Sequence, residues 1–238
     1  MTQDHEQIVE RSRAWQLLSI AFAHPVPELH GLLADRRFQQ AFEEALAMAH
    51  GVRIGLPSLS VDFQDFEAQY ITLFDTGSKG RPLAPLRASA YDVLLAGEPV
   101  PRLMLKYAQF YKHFGVQART GQGDNALADH LTCQLDCLAW LTHLEARAGA
   151  QSDAEAGYRR AQGDFITRLL GPHCGEFVPR LSDACAEQGF DPVFAALGEA
   201  LERLQTLELE RFGSAGNLSV SRPPMGVAVA GPTQNLWR

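Results

Sequence analysis

Apolar residues in this chain recur at intervals of three and four, and nowhere alternate long enough to make a convincing strand. A chain patterned at the helical period buries its apolar side chains by laying helix against helix. The sequence therefore reads as all-α: a single globular helical domain of roughly eight to ten helices over residues 1–212, then a flexible C-terminal tail over 213–238. No internal repeat of fixed period is visible.

Ile8, Trp15, Leu18 and Phe22 share a face of the first helix, which should end near His24-Pro25 because proline disfavours helix before it. A short helix follows from Pro27 to about Ala34, and a third from Phe38 to about His50, stopped by Gly51. Leu59-Ser60-Val61-Asp62 opens a fourth, with Phe63, Phe66, Tyr70 and Leu73 as its stripe. Helix resumes over Ser89 to Leu95 and over Pro101 to Phe114, where Leu103, Tyr107, Phe110 and Phe114 share a face. The next helix, with Asp124 or Asn125 as its candidate cap, runs to about Ala148. It carries Leu127, Leu131, Leu135, Leu138, Leu141 and Leu144, and as the most apolar helix it should lie centrally. Asp153 to Leu170, Phe177 to Gln188 and Pro192 to Phe212 complete the set, with Asp191-Pro192 as a start signal.

Two segments break the pattern. Asp75 to Arg87 reads DTGSKGRPLAPLR, and Gly115 to Asn125 is the second. Loops as long as the first, inside a domain, are usually functional or disordered. Beyond Gly213 breakers dominate and no period is sustained.

The formal charge of -7, from 21 Lys+Arg against 28 Asp+Glu, lacks the basic footprint of a dedicated nucleic-acid binder. It suits a basic peptide or a cation instead. No stretch approaches the roughly 18 apolar residues that span a bilayer. The polar, acidic start Met1-Thr2-Gln3-Asp4 is unlike a signal peptide, so the expected location is the cytoplasm. Cys133, Cys137, Cys174 and Cys185 are expected to be reduced thiols there.

A search for catalytic chemistry returns little. Phosphate-binding, zinc-protease and serine-hydrolase motifs are absent from the sequence. His130, Cys133 and Cys137 stand at i, i+3 and i+7, a spacing that puts an imidazole and two thiolates on one helical face and would suit zinc. Against this, free cysteine is among the most buried residue types, and a fourth ligand is not evident. Asp129 and His130, as neighbours on a helix, would point about 100° apart and form no dyad. His130 reads equally as a satisfied, partly buried histidine and as a polar contact in a peptide groove. Tyr70, Tyr91, Tyr107 and Tyr111 lie on or beside apolar stripes, as core residues with polar tips or as walls of a groove.

Two motifs resemble the TorD/DmsD/NarJ family of molybdoenzyme maturation chaperones. The first is Tyr70-x-x-Leu73-Phe74, followed by Gly77, Pro82, Pro85, Ser89 and Tyr91. It is similar to the family's Y-x-x-L-F segment with a Pro-rich loop and S-x-Y. The second is Ala128-Asp129-His130-Leu131-x-x-Gln134-Leu135-Asp136-Cys137-Leu138, similar to P-D-H-L-x-x-E-L-x-F-L. Ala128, Gln134 and Cys137 depart from that pattern, and Gln134 removes a charge. Phe110-Tyr111-Lys112-His113-Phe114-Gly115 leans towards the subgroup serving dimethyl-sulfide and ethylbenzene dehydrogenases and selenate and chlorate reductases.

The resemblance implies a cytoplasmic chaperone, not an enzyme. It implies that the partner is the catalytic subunit of a molybdopterin-containing oxidoreductase, bound through its twin-arginine leader peptide until cofactor insertion is complete. It places client and leader-peptide binding on Tyr70, Phe74, Pro82, Pro85, Ser89, Tyr91, Leu127, Asp129, His130, Gln134 and Asp136. No cofactor is expected to stay bound, while transient contact with the molybdopterin cofactor or a guanine nucleotide is compatible with it. The competing readings are a metal- or nucleotide-dependent helical enzyme using His130, and a structural helical adaptor. Because the tail lacks a periodic apolar face, truncation after Phe212 is expected to leave thermal melting and client binding nearly unchanged. A large drop in melting temperature would show that the tail is docked.

Overall fold

The computed structural model describes residues 3–77, 80–116 and 127–214, so residues 1–2, 78–79, 117–126 (with the expected cap at Asp124 or Asn125) and the tail from 215 lie outside the described residues. The helices are α1 (Gln3–Ala21), α2 (Pro27–Ala34), α3 (Arg37–His50), α4 (Phe63–Tyr70), α5 (Asp92–Leu95), α6 (Val100–His113), α7 (Leu131–Arg147), α8 (Asp153–Phe165), α9 (Gly171–Gln188) and α10 (Pro192–Ser214). The fold is all-α. Its β-type pairing, among the described residues, is one isolated bridge between Arg87 and His130.

Local chemistry sets most ends where the sequence places them. Pro27 opens α2, and Gly51 stops α3 at φ 70°. Asp62 caps α4 by accepting from Asp65 N at 3.0 Å, and Ser152 caps α8 by accepting from Glu155 N at 3.1 Å. Asp191 Oδ1 accepts from Val193 N at 3.0 Å at the head of α10.

Three expectations are corrected. Helix over Ser89 to Leu95 is instead a 3₁₀ turn at Ala88–Ala90 and the single turn of α5. The helices expected at Asp153 to Leu170 and Phe177 to Gln188 form one unbroken rod, in which a π turn (Ile166–Leu170) joins α8 to α9. Pro172 has no N–H to give the preceding turn, and the wider π turn absorbs that loss, with Gly171 N donating to Ile166 O. A Cβ at Gly171 would lie 2.8 Å from that same oxygen, so glycine is required. The most apolar helix starts at Leu131, which leaves Leu127 to His130 in a turn ahead of it.

α7 is central as expected, packed on α1 and α8, while α1 also meets α3 and α9 lies on α10. Ser12 Oγ donates to Ala139 O at 2.7 Å and Ser19 Oγ to Thr132 O at 3.3 Å, so α1 and α7 run antiparallel. Phe22, Phe74, Phe177, Phe194 and Tyr70 interlock with ring centroids 4.9–6.2 Å apart. Each such ring contributes about 1.5–3 kcal/mol by burial.

Within this core sits a charge cluster. Arg11 is buried, donating from Nε and Nη2 to Glu208, from Nη1 to Glu145 at 2.9 Å, and from Nη2 to Gln162 at 2.8 Å. Glu145 also takes Arg211 at 2.7 Å and Arg159 at 3.2 Å. Burial alone would push both carboxyls up. The Arg11 charge and the hydrogen bonds outweigh it and hold Glu145 and Glu208 down at about 2. Their folded pKa lies below the unfolded value, so this stability is present above about pH 4.5 and is lost as pH falls towards 2. Arg11→Met takes the guanidinium from buried Glu208 and one of the three that meet Glu145, and is expected to cost about 3–5 kcal/mol at neutral pH. Thermal melts across pH check this: the deficit of the variant should shrink on acidification while the wild type loses stability. A small, pH-independent deficit would contradict the account.

Candidate functional site

The segment from residue 80 to 91 lies against the core. A Cβ at Gly77 (φ 60°) would stand 1.7 Å from Arg81 O, so only glycine fits this turn. The chain then returns along the turn after α4, with Ala84 N donating to Leu73 O at 2.7 Å. Tyr91 closes the Pro-rich stretch from inside, its hydroxyl donating to Pro85 O at 3.0 Å. Arg180 of α9 holds the outer side, donating from Nε to Leu83 O at 2.6 Å with its guanidinium 5.7 Å from the Tyr91 ring centre.

This segment docks on the residues that precede α7. Leu131 N donates to Leu86 O at 2.8 Å, and Ala88 N to Asp129 O at 3.2 Å. Asp129 Oδ2 accepts from Ser89 N at 2.8 Å, and Arg87 Nε lies 3.8 Å from Asp129 Oδ1. His130 is the N-cap of α7, its Nδ1 accepting from Thr132 N at 3.3 Å. The amides of Leu131 and Thr132 are therefore both taken, so neither is open at the head of α7. Tyr111 O–H donates to Ala128 O at 2.7 Å and ties α6 to the same joint.

Behind it lies Gln134, whose Nε2 donates to Asp129 O and to His173 Nδ1, both at 2.9 Å. The carbonyl fixes which amide atom is the nitrogen, so His173 Nδ1 accepts and its proton sits on Nε2. Burial, with the neighbouring His130, pushes the His173 imidazole down to about 3, which keeps it neutral.

Asp129, His130, Gln134, Ser89, Tyr91 and Pro85 are thus brought together. Tyr70 and Phe74 are not: both are buried in the aromatic core, with Tyr70 O–H donating to Phe22 O at 3.0 Å. Asp136 is not either. Two residues on from Gln134 it is turned by about 200° on the helix. It is half-buried, and burial pushes its carboxyl up to about 6 despite a hydrogen bond from Ser19. Pro82, Ser89 and Leu127 keep partial exposure. Sequence reasoning missed Arg87, His173 and Arg180, and no periodicity marks them.

The metal reading fares poorly, because His130 precedes α7 and so does not share a helical face with Cys133 and Cys137. Among the described residues no group of three or more His, Cys, Asp or Glu is placed to hold a metal ion. Burial pushes the Cys133 thiol up to about 12, with the Asp136 and Asp129 carboxylates adding to it, and holds the Cys137 thiol well above its ordinary value. Both should therefore label slowly with thiol reagents in the native protein and rapidly once unfolded. Fast native labelling of both would mean that α7 is open on this side.

A family model described as nitrate reductase delta subunit matches residues 35–179. The chain is 38% identical over 173 residues to the dimethyl sulfide dehydrogenase assembly chaperone protein of Rhodovulum sulfidophilum, covering 71% of this chain and 69% of that one. It is 30% identical over 218 residues to the perchlorate reductase assembly chaperone protein of Dechloromonas aromatica (strain RCB), covering 87% and 92%. It is 28% identical over 176 residues to the selenate reductase assembly chaperone protein of Thauera selenatis, covering 73% and 83%. No solved structure matches the chain. Among the described residues no helix is long and apolar enough to cross a membrane.

Proposed function

The chain belongs to the nitrate reductase delta subunit family, and from that premise we propose that it is a cytoplasmic assembly chaperone for the catalytic subunit of a molybdopterin oxidoreductase. It is a binding protein and not an enzyme. It recognises the client through its twin-arginine leader and holds it until the cofactor is in place and export can begin. The observation that supports this most directly is the family match, which runs from the end of α2 into α9 and takes in the whole joint between residues 80–91 and α7.

The physics of recognition is a division of labour. The leader's apolar segment lies along an apolar surface, and its arginines meet carboxylate. Exposed ion pairs contribute only about 0.2–1 kcal/mol each, so apolar contact carries most of the affinity and charge fixes orientation. Pro82, Ser89, Leu127 and Asp136 keep solvent contact and meet the client first. Pro85, Tyr91, Asp129, His130 and Gln134 set the shape of that surface from beneath, and Tyr70 and Phe74 support it through the core. Transient contact with the molybdopterin cofactor or a guanine nucleotide would accompany delivery and needs no resident site.

Co-expression of the tagged chain with candidate catalytic subunits tests the proposal. The client should co-purify with its leader present and be lost when the leader is deleted. Titration of the synthetic leader should show affinity falling several-fold in Asp129→Asn and His130→Ala, with only a modest loss of melting temperature. Unchanged affinity in both variants would remove this joint from the binding surface.

A further inference from the structure

Two guanidinium–carboxylate sites in this molecule are built in opposite ways. At Arg11 every nitrogen of the fork donates to Glu208, Glu145 or Gln162, and the side chains are sealed from solvent. At Asp129 the pairing is incomplete. The residue is 0% exposed, Oδ2 takes one backbone N–H, and Oδ1 has no hydrogen-bond donor. Arg87 Nε also lacks a partner, and stops 3.8 Å from Oδ1, beyond hydrogen-bond distance. Arg87 Nη2 reaches Ser89 Oγ at 3.3 Å, and its side chain is 36% exposed.

Arg87 therefore covers a buried carboxylate from the solvent side without closing on it. Its backbone is paired antiparallel with His130, which fixes the tether while leaving the side chain an open edge. Moving the guanidinium outward gives up the Ser89 Oγ contact and leaves a buried carboxylate without its cation, which is unfavourable unless another cation arrives. A second guanidinium is the group that fits. Its planar fork can complete the bond to Oδ1 that Arg87 leaves unmade, whereas an ammonium presents a single point charge.

We propose that Arg87 is an intrachain stand-in for a client arginine: it occupies the mouth of the Asp129 site in the free protein and is displaced when the client's arginine enters. The inference rests on the leader-binding function proposed above and adds regulation and selectivity to it. Arg87 competes for Asp129 and lowers the apparent affinity of every cationic ligand by the same factor, while the fit of a planar fork to Oδ1 sets arginine above lysine. A weak or cationically mismatched segment fails to displace it.

The test uses the full chain and a synthetic peptide carrying an adjacent arginine pair ahead of an apolar segment, with a lysine-pair analogue as control. Titration calorimetry is run on the wild type, Arg87→Ala, Arg87→Gln and Arg87→Ala/Asp129→Asn, with thermal melts of each. Arg87→Gln retains length and a hydrogen-bonding tip, so it reports even if the alanine variant folds poorly. The expected result is several-fold tighter binding of the arginine peptide to both single variants, the same fold gain for the lysine peptide from a weaker starting affinity, and no gain in the double variant. Wild-type binding with no tightening in either single variant would overturn displacement and leave the leader reading standing. No binding by any form would overturn the leader reading, and this inference with it.

Discussion

The guanidinium of Arg11 fixes how the long helices of this molecule sit on one another. It rises from α1 and bonds side chains of α7, α8 and α10, and Glu208 also lies 3.2 Å from His50 at the end of α3. Apolar packing alone would tolerate small rotations and slides between such helices. A buried fork with directional partners does not, because each misplacement leaves an unpaired charge away from water. The cluster holds the C-terminal part of α7. The other end of that helix, about 21 Å away by helical rise, is where the loop 80–91 docks. Rigid placement of α7 against α1 therefore carries through to the position of Asp129 and His130.

At that second end, polar groups position backbone instead of filling a cavity. Asp129 receives the loop through Ser89 N, His130 caps the helix, and Gln134 joins both to His173 on the rod formed by α8 and α9. Most of the motif residues that suggest binding are buried, so their influence on a partner runs through the shape of the segment they hold. Such an arrangement suits a protein that must grip an extended or helical peptide and let it go. On the proposed function, the scaffold stays fixed while a short loop with a few exchangeable polar contacts meets the client.

Much of the fold was legible because its helices begin and end on local chemistry: Pro27, Gly51, Asp62, Ser152 and Asp191 each act at the end they mark, the capping side chains on amides two or three residues on. The start of α7 was misread for a non-local reason. Leu127 stands four residues before Leu131 and so continues its stripe, yet the Leu131 amide bonds Leu86, forty-five positions away, and the helix begins there. The rod over 153–188 was split because Gly171-Pro172 resembles a break. A π turn accommodates a proline that a regular helix would not, and spacing does not announce it. Arg11 did leave a signal, since it sits three residues after Ile8 and four before Trp15, on the apolar face of α1. Of the site, Asp129, His130, Gln134 and Tyr91 were legible as motif residues. Arg87 and His173 were not, because their roles arise only when α7 and the rod are brought together.

Hydrogen–deuterium exchange of the full chain, alone and saturated with a client catalytic subunit, tests the central claim most directly. The account predicts that exchange changes at residues 80–91 and 127–136, with the amide of Ser89 among those affected. It predicts no change around Arg11, Glu145 and Glu208. Protection confined to α3 or α10, with the joint at the start of α7 unaltered, would contradict it.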